Sequence, residues 1–267
     1  MKILKSALLI VGLVTVCGIS INAVQQEDGG GASKEISTNE INKSVADSYK
    51  IEALPMPENL DFAGESVPLN DPDVYERMDR ELLVNTYWQS NAFLLMKRAH
   101  KYFPVIEPIL KEEGVPDDFK YLAVIESGLT QAVSPARAIG FWQIMEGTGK
   151  EYGLEINDNV DERYHIEKST RVAADYIKKA KERFGSWTLA AASYNAGQYG
   201  VDKQLERQKV ADYYDLLLGE ETGRYVFRIL ALKEIMTHPK KYCFIFNEND
   251  LYKHIPVEKV KVDTVVN

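Results

Sequence analysis

Residues 119–129 read FKYLAVIESGL, an apolar stretch with one carboxylate, Glu126, in its middle. An acid placed there is the first candidate for proton chemistry. Positions 119, 122, 123 and 126 follow the helical spacing i, i+3, i+4, i+7, so Glu126 shares a stripe with Phe119, Leu122 and Ala123. A stripe of that composition faces a core. A carboxyl there loses hydration, which disfavours its charged form and raises its pKa. Such a group keeps its proton near neutral pH and can donate it as a general acid. The same position also suits an acid at a helix end, solvated or paired with an arginine. Helical spacing alone does not separate the two.

Other polar groups sit in comparably unusual company. In AIGFWQIM (138–145), Gln143 lies between Trp142 and Ile144. A buried amide needs partners, so Gln143 either ties a loop or meets a polar ligand. Tyr194 and Asn195 end a helix of small residues just before Gly197 and bring hydrogen-bonding tips to an opening. Tyr225 falls in the first turn of EETGRYVFRILALKEIM. The oxygen-rich run NDNVDERYHIEKS (157–169) invites a calcium reading, which fails: Glu162 stands where the loop needs glycine, and Lys168 where it needs the closing glutamate. That run is read as a loop capping the next helix. None of the four histidines (100, 165, 238, 254) has a close partner at ligand spacing, so no metal and no cofactor are expected.

The elements that must position these residues are almost all helical, and no convincing strand pair is visible. The expected fold class is mainly α, with little or no β-structure. The folded unit is expected from residue 73. Leu83, Trp88, Phe93, Leu94 and Met96 mark amphipathic helices, with breaks predicted at Pro104 and Gly114 and a separate helix over Val105–Glu113. Pro116, Asp117 and Asp118 open the helix that carries Glu126, and Gly128 closes it. STRVAADYIKKAKERFG buries Val172, Ala173, Tyr176, Ile177, Ala180 and Phe184 and ends at Gly185; Ser186 then caps WTLAAASYNAG. The run from Tyr242 onward is either a strand or a packed tail.

The chain has 267 residues with a net charge of −8, which argues against a nucleic-acid partner. Residues 1–23 read as a signal peptide: Lys2 and Lys5, an apolar run from Ala7 to Val16, then small residues to Ala23. Cleavage after Ala23, lipidation at Cys17 and an uncleaved anchor are the three fates open to it. The protein is thus expected to be exported, to the periplasm or the outer membrane and cell envelope, with membrane association through its N-terminus. Residues 24–72 read as a flexible, irregular arm, glycine-rich at first and then broken by Pro55, Pro57 and Pro68, that spaces the domain from the membrane or drapes over it. Cys243, in an apolar run, is expected as a buried structural thiol.

ESGL, AIGFWQIM, ASYNAG and EETGRYV occur in that order, and together they resemble the ordered motifs of lytic transglycosylases with a goose-lysozyme-like (SLT) domain, the D-type membrane-bound murein enzymes most of all. The resemblance covers roughly residues 95–240. It implies a lysozyme-like helical catalytic domain over 73–240, acting as a monomer on peptidoglycan glycan strands, and a tail over 241–267 without a LysM repeat. It implies that Glu126 is the single catalytic acid. Ser134, Gln143, Met145, Tyr194, Asn195 and Tyr225 then line the substrate groove, and Glu221-Thr222 leads into Tyr225. Ser193 stands where the family usually has alanine. Glycoside hydrolysis ordinarily uses two carboxylates. Glu146, Asp158 and Asp161 are candidates for a second one by position, whereas the family manages with one and leaves a 1,6-anhydromuramoyl end. A water-using goose-type muramidase and a silent glycan-binding protein are the alternatives.

Overall fold

A computed structural model describes residues 51–257; the expected signal peptide (1–23) and the glycine-rich part of the arm (24–48) lie outside the described residues. Within them the fold is mainly α. Eight α-helices are present: α1 (Pro72–Tyr87), α2 (Gln89–Glu112), α3 (Lys120–Ser127), α4 (Glu146–Glu151), α5 (Ile166–Phe184), α6 (Trp187–Ala196), α7 (Gln198–Gln208) and α8 (Glu220–Thr237). A single antiparallel hairpin of two-residue strands, β1 (Asp61–Phe62) and β2 (Glu65–Ser66), precedes them. Among the described residues, no helix is long and apolar enough to cross a membrane.

Local chemistry sets the helix ends. Asp71 caps α1 by accepting from the amides of Asp73 and Val74, and Pro72 fills a first-turn position that needs no donor. Gly128 ends α3 with φ +60, and Gly185 ends α5 with φ +69. The Ser186 hydroxyl accepts from the Leu189 amide at the start of α6, as expected. Phe119 lies in a 3-10 turn (Asp117–Phe119) that leads into α3 rather than within it.

Helix α8 is the central element. Val226, Phe227, Ile229, Leu230, Ala231 and Ile235 along it are fully buried. It packs against α1, α3 and α6. Ala190, Ala191 and Ala192 of α6 are also fully buried, and their small side chains permit close approach. Trp142 is buried too, its indole nitrogen donating to the Thr170 hydroxyl of α5 at 2.9 Å.

Three sequence expectations are corrected. The break at Pro104 and the separate helix over 105–113 do not occur; α2 runs unbroken for 24 residues through Pro104 and Pro108. Each proline removes one helical donor. Burial of Ile106, Ile109 and Leu110 on the following turns holds the helix together regardless. Cys243 is exposed, because Tyr242 and Phe244 on either side take the buried positions of an irregular tail. The arm is also not irregular throughout: Leu60, Phe62 and Val67 belong to the hydrophobic core. Phe62 meets Phe119 edge-on at 5.0 Å between ring centroids.

Glu65 of β2 is what fixes the hairpin to the helices. Its carboxylate accepts from the backbone amides of Trp187 and Thr188 and from the hydroxyls of Ser186 and Thr188, at 2.6–2.8 Å. These donors are the free N–H groups of the first turn of α6, where the helix dipole also favours negative charge. Burial alone would raise this carboxyl, but the bonds from Thr188, Trp187 and Ser186 outweigh it and hold the group at about 2. A carboxyl lowered on folding contributes stability above its unfolded value of 4.5 and loses it as pH falls toward about 2. Glu65→Ala is therefore expected to lower unfolding free energy by roughly 2 kcal/mol at pH 7. In urea titrations the deficit should shrink between pH 4.5 and 3; a deficit that holds constant down to pH 3 would show that the carboxylate charge is not what binds the hairpin.

Candidate active site

Glu126 occupies the last turn of α3, two residues before the helix closes at Gly128. Phe119, Leu122 and Ala123, the neighbours expected on its stripe, are fully buried. The hydroxyl of Tyr225, on α8, donates to Glu126 Oε1 in a short contact. Tyr225 itself is 2% exposed, so the bond forms out of bulk water. Burial pushes the Glu126 carboxyl up to about 7; the Tyr225 hydroxyl and Arg228 pull it back, and the charge of Glu221 adds to the rise. At neutral pH the group is thus shared between its acid and its base form.

Tyr194 approaches from α6. Its hydroxyl donates to the Trp142 carbonyl at 2.7 Å. Burial, and then the charge of Glu126, push its own pKa well up, so it stays a neutral phenol. Asn195 faces the start of α8. Its Nδ2 donates to Glu221 at 3.1 Å, and its Oδ1 accepts from the Thr222 hydroxyl at 2.7 Å. The pair latches the end of α6 to the first turn of the helix that carries Tyr225.

A cleft of about 840 Å³ opens on Glu126. Its walls come from α1, α2, α3 and α8 and include Trp88, Asn91, Arg98, Glu221 and Arg228. The other carboxylates on its walls are engaged. Glu81 is held by Arg224 (Nε to Oε1, 2.6 Å), Glu220 by Arg80 (3.0 Å), and Glu221 by Asn195. The sequence candidates for a second acid do not line it: Glu146 pairs with Lys150 at 2.6 Å, Asp161 with Arg163 at 2.7 Å, and Asp158 lies in the exposed loop between them.

Ser134, Gln143 and Met145 are not part of this cleft wall. They build the loop between α3 and α4. Gln143 adopts φ +47, an uncommon conformation for a side chain with a Cβ, and its Nε2 donates to the carbonyls of Ala132 (3.1 Å) and Gly140 (2.8 Å). Of the two roles open to it in the sequence, the loop tie is the one these bonds describe. The Ser134 hydroxyl accepts from the Ala138 amide at 2.9 Å and closes a turn. Met145 caps α4 and is 46% exposed. Gly140 has to be glycine, since a Cβ there would lie 2.4 Å from the Arg163 carbonyl. Among the described residues, no group of three or more His, Cys, Asp or Glu side chains is arranged to hold a metal ion.

Several residues that matter here went unnoticed in the sequence. Ser127, next to the acid, donates to the Phe141 carbonyl at 2.9 Å and so ties the end of α3 to the loop. Arg228 follows Tyr225 by three residues, a helical spacing that a reading of α8 could have used. Trp88, Asn91 and Arg98 reach the cleft only through the packing of α1 and α2, and short-range pattern carries no sign of that.

Residues 103–217 match the family described as "Transglycosylase SLT domain". The chain is similar to "Membrane-bound lytic murein transglycosylase D" of Escherichia coli (strain K12), 31% identical over 216 residues that cover 75% of this chain and 47% of that protein. The protein of the same name from Escherichia coli O6:H1 (strain CFT073) matches to the same extent. The chain therefore spans about half the length of the curated relatives it matches.

A carboxyl raised on folding binds its proton more tightly in the native state, so it subtracts stability as pH rises through the interval between 4.5 and about 7. Glu126→Gln removes that penalty. In thermal melts the variant is expected to gain on the wild type as pH rises from 4.5 to 8, by of order 1–3 kcal/mol. A difference that stays flat with pH would mean that Glu126 titrates as a solvated acid.

Proposed function

We propose that this protein, whose residues 103–217 match the transglycosylase SLT domain family, is a peptidoglycan lytic transglycosylase with Glu126 as both its acid and its base. The observation that carries this reading is a single carboxyl, raised to about 7 by burial, at the wall of a cleft whose other carboxylates are engaged by partners. The bond cut is the β-1,4 link from N-acetylmuramic acid to N-acetylglucosamine. Protonated Glu126 gives its proton to the glycosidic oxygen, and the bond from that oxygen to the muramoyl anomeric carbon breaks. The muramoyl N-acetyl group stabilises the cation left behind. Glu126, now a carboxylate, takes the proton of the muramoyl 6-hydroxyl, whose oxygen bonds to the anomeric carbon. The product is a 1,6-anhydromuramoyl end, no water is consumed, and Glu126 is returned protonated.

Each phase of that cycle has support in the site. Burial favours the protonated form before the sugar is cut. The Tyr225 hydroxyl and Arg228 favour the carboxylate that follows. A pKa near the working pH lets one group perform both transfers. Hydrolysis with inversion would call for a second free carboxylate to activate water. Ser134, Gln143 and Met145 act in this reading as the framework and far rim of the groove, and Tyr194 and Asn195, which do not line the cleft itself, hold Trp142 and the first turn of α8 behind it. The relatives' name, "membrane-bound", supports action at the cell envelope, with residues 1–23 directing export.

Digestion of purified murein followed by mass spectrometry tests the reaction. Anhydromuramoyl ends are expected, each lighter by one water than a reducing end; reducing muramic acid as the main product would assign the protein to the muramidases instead. Glu126→Gln is expected to lower turnover by roughly 10²–10⁴-fold with the fold intact, the usual reach of general acid catalysis. Wild-type kcat/KM should fall above pH about 7, as the acid form is lost. Tyr225→Phe should move that limb upward, because it removes a bond that favours the charged form. A limb that stays in place, or moves down, would remove Tyr225 from the proton chemistry.

A further inference from the structure

Trp88 is held where helix chemistry gives it no reason to be. Helix α1 ends at Tyr87 and α2 begins at Gln89, so Trp88 is the whole junction. Its backbone is fixed on both sides: the amide donates to the Val84 carbonyl at 3.2 Å, and the carbonyl accepts from the Ala92 amide at 3.0 Å. As the N-cap of α2 its side chain makes no capping bond. Serine, threonine, aspartate or asparagine there would cap the helix and stabilise it. Nor does the indole fill the core, being 60% exposed, while Trp142 is fully buried. It faces the same cleft as Glu126.

The surroundings of Trp88 identify the chemistry of an occupant. Val84, 45% exposed, adds an apolar patch to the same wall. Asn85 donates its Nδ2 to the Glu81 carbonyl at 2.7 Å, which leaves its Oδ1 for the cleft. Asn91 is half-buried on the cleft wall, and its amide forms no hydrogen bond among the described residues. A rigid aromatic face flanked by uncharged amides suits a pyranose ring. The axial C–H face of the sugar packs on the indole, and hydroxyl or acetamido groups bond to the amides. The triad itself carries no charge, so a charged peptide would have to pair with Arg98 or Arg228 elsewhere on the cleft wall.

We propose that Trp88, Asn85 and Asn91 form a sugar-binding subsite that holds a ring of the glycan strand away from the bond being cut. The subsite rests on the glycan-cutting reading above. It lies outside residues 103–217, so the segment before the matched domain would contribute directly to grip on the strand.

The test uses the full chain carrying Glu126→Gln, which binds without turnover, and a peptide-free tetrasaccharide of alternating N-acetylglucosamine and N-acetylmuramic acid. Titration is expected to change tryptophan fluorescence saturably. Adding Trp88→Phe should abolish that change. Trp88→Ala or Asn91→Ala should weaken binding, measured by calorimetry, by roughly tenfold for the tryptophan and less for the amide, with circular dichroism unchanged. Two results would overturn the subsite alone: wild-type protein that cuts murein while Trp88→Ala leaves tetrasaccharide affinity unaltered, or a fluorescence change produced by free stem peptide and not by the sugar. If the wild type cuts no murein and the Glu126→Gln chain binds no tetrasaccharide, the glycan reading falls and takes the subsite with it.

Discussion

A half-buried carboxyl at the end of a short helix, open to solvent only through a cleft, is a costly arrangement, and the rest of the molecule is organised around maintaining it. Left to itself an eight-residue helix is marginal in water, and a buried charge would pull its end toward solvent. Helix α3 avoids both outcomes through its neighbours. Its buried face, Leu122, Ala123 and Val124, is covered on all sides, and α2 and α8 pack against it. Ser127 ties its end to the loop that follows, and Arg98 donates to the Gly128 carbonyl at 3.0 Å. The acid is thereby fixed by backbone, so its surroundings, and not its own flexibility, decide its proton affinity.

The second half of the arrangement comes from α8. Tyr225 reaches Glu126 only if the first turn of α8 is in place, and that turn is secured by side chains from other parts of the chain. Asn195 bonds to Glu221 and Thr222, while the Tyr213 hydroxyl donates to the carbonyls of Thr222 and Gly223, each at 2.9 Å. Arg77 donates to the same Gly223 carbonyl at 2.8 Å. Motif residues that look like substrate contacts in the sequence thus also hold one another. A loss at Asn195 would be felt at Tyr225 through helix position, and effects of these residues on activity should not add independently.

How much of this could be read beforehand depended on range. The helix that bears Glu126, its glycine stop and the buried stripe beside it follow from local spacing, and the structure places them there. Tyr225 was identifiable through the ordered motifs, though its bond to an acid 99 positions earlier is a tertiary fact. Pro104 misled because a local rule was applied where packing of the next turns decides the outcome. Cys243 misled because it sits in a left-handed conformation just past a short 3-10 turn (Pro239–Tyr242), where the chain turns its thiol outward while Tyr242 and Phe244 stay buried. Gln143 was left open between a loop tie and a ligand contact, and only the coordinates of Ala132 and Gly140 describe where its amide goes. The cleft walls from α1 and α2 were not legible at all, since no short-range pattern reports which distant helix faces an active acid.

The central claim is that burial, opposed by Tyr225 and Arg228, leaves Glu126 titrating close to neutrality. It is tested most directly by following the side-chain carboxyl carbon of Glu126 with ¹³C NMR across pH, with Glu126→Gln used to assign the resonance. The account requires a midpoint near 7, well above the ordinary 4.5. A midpoint at or below 4.5 would contradict it, because a fully ionised Glu126 could not supply the first proton.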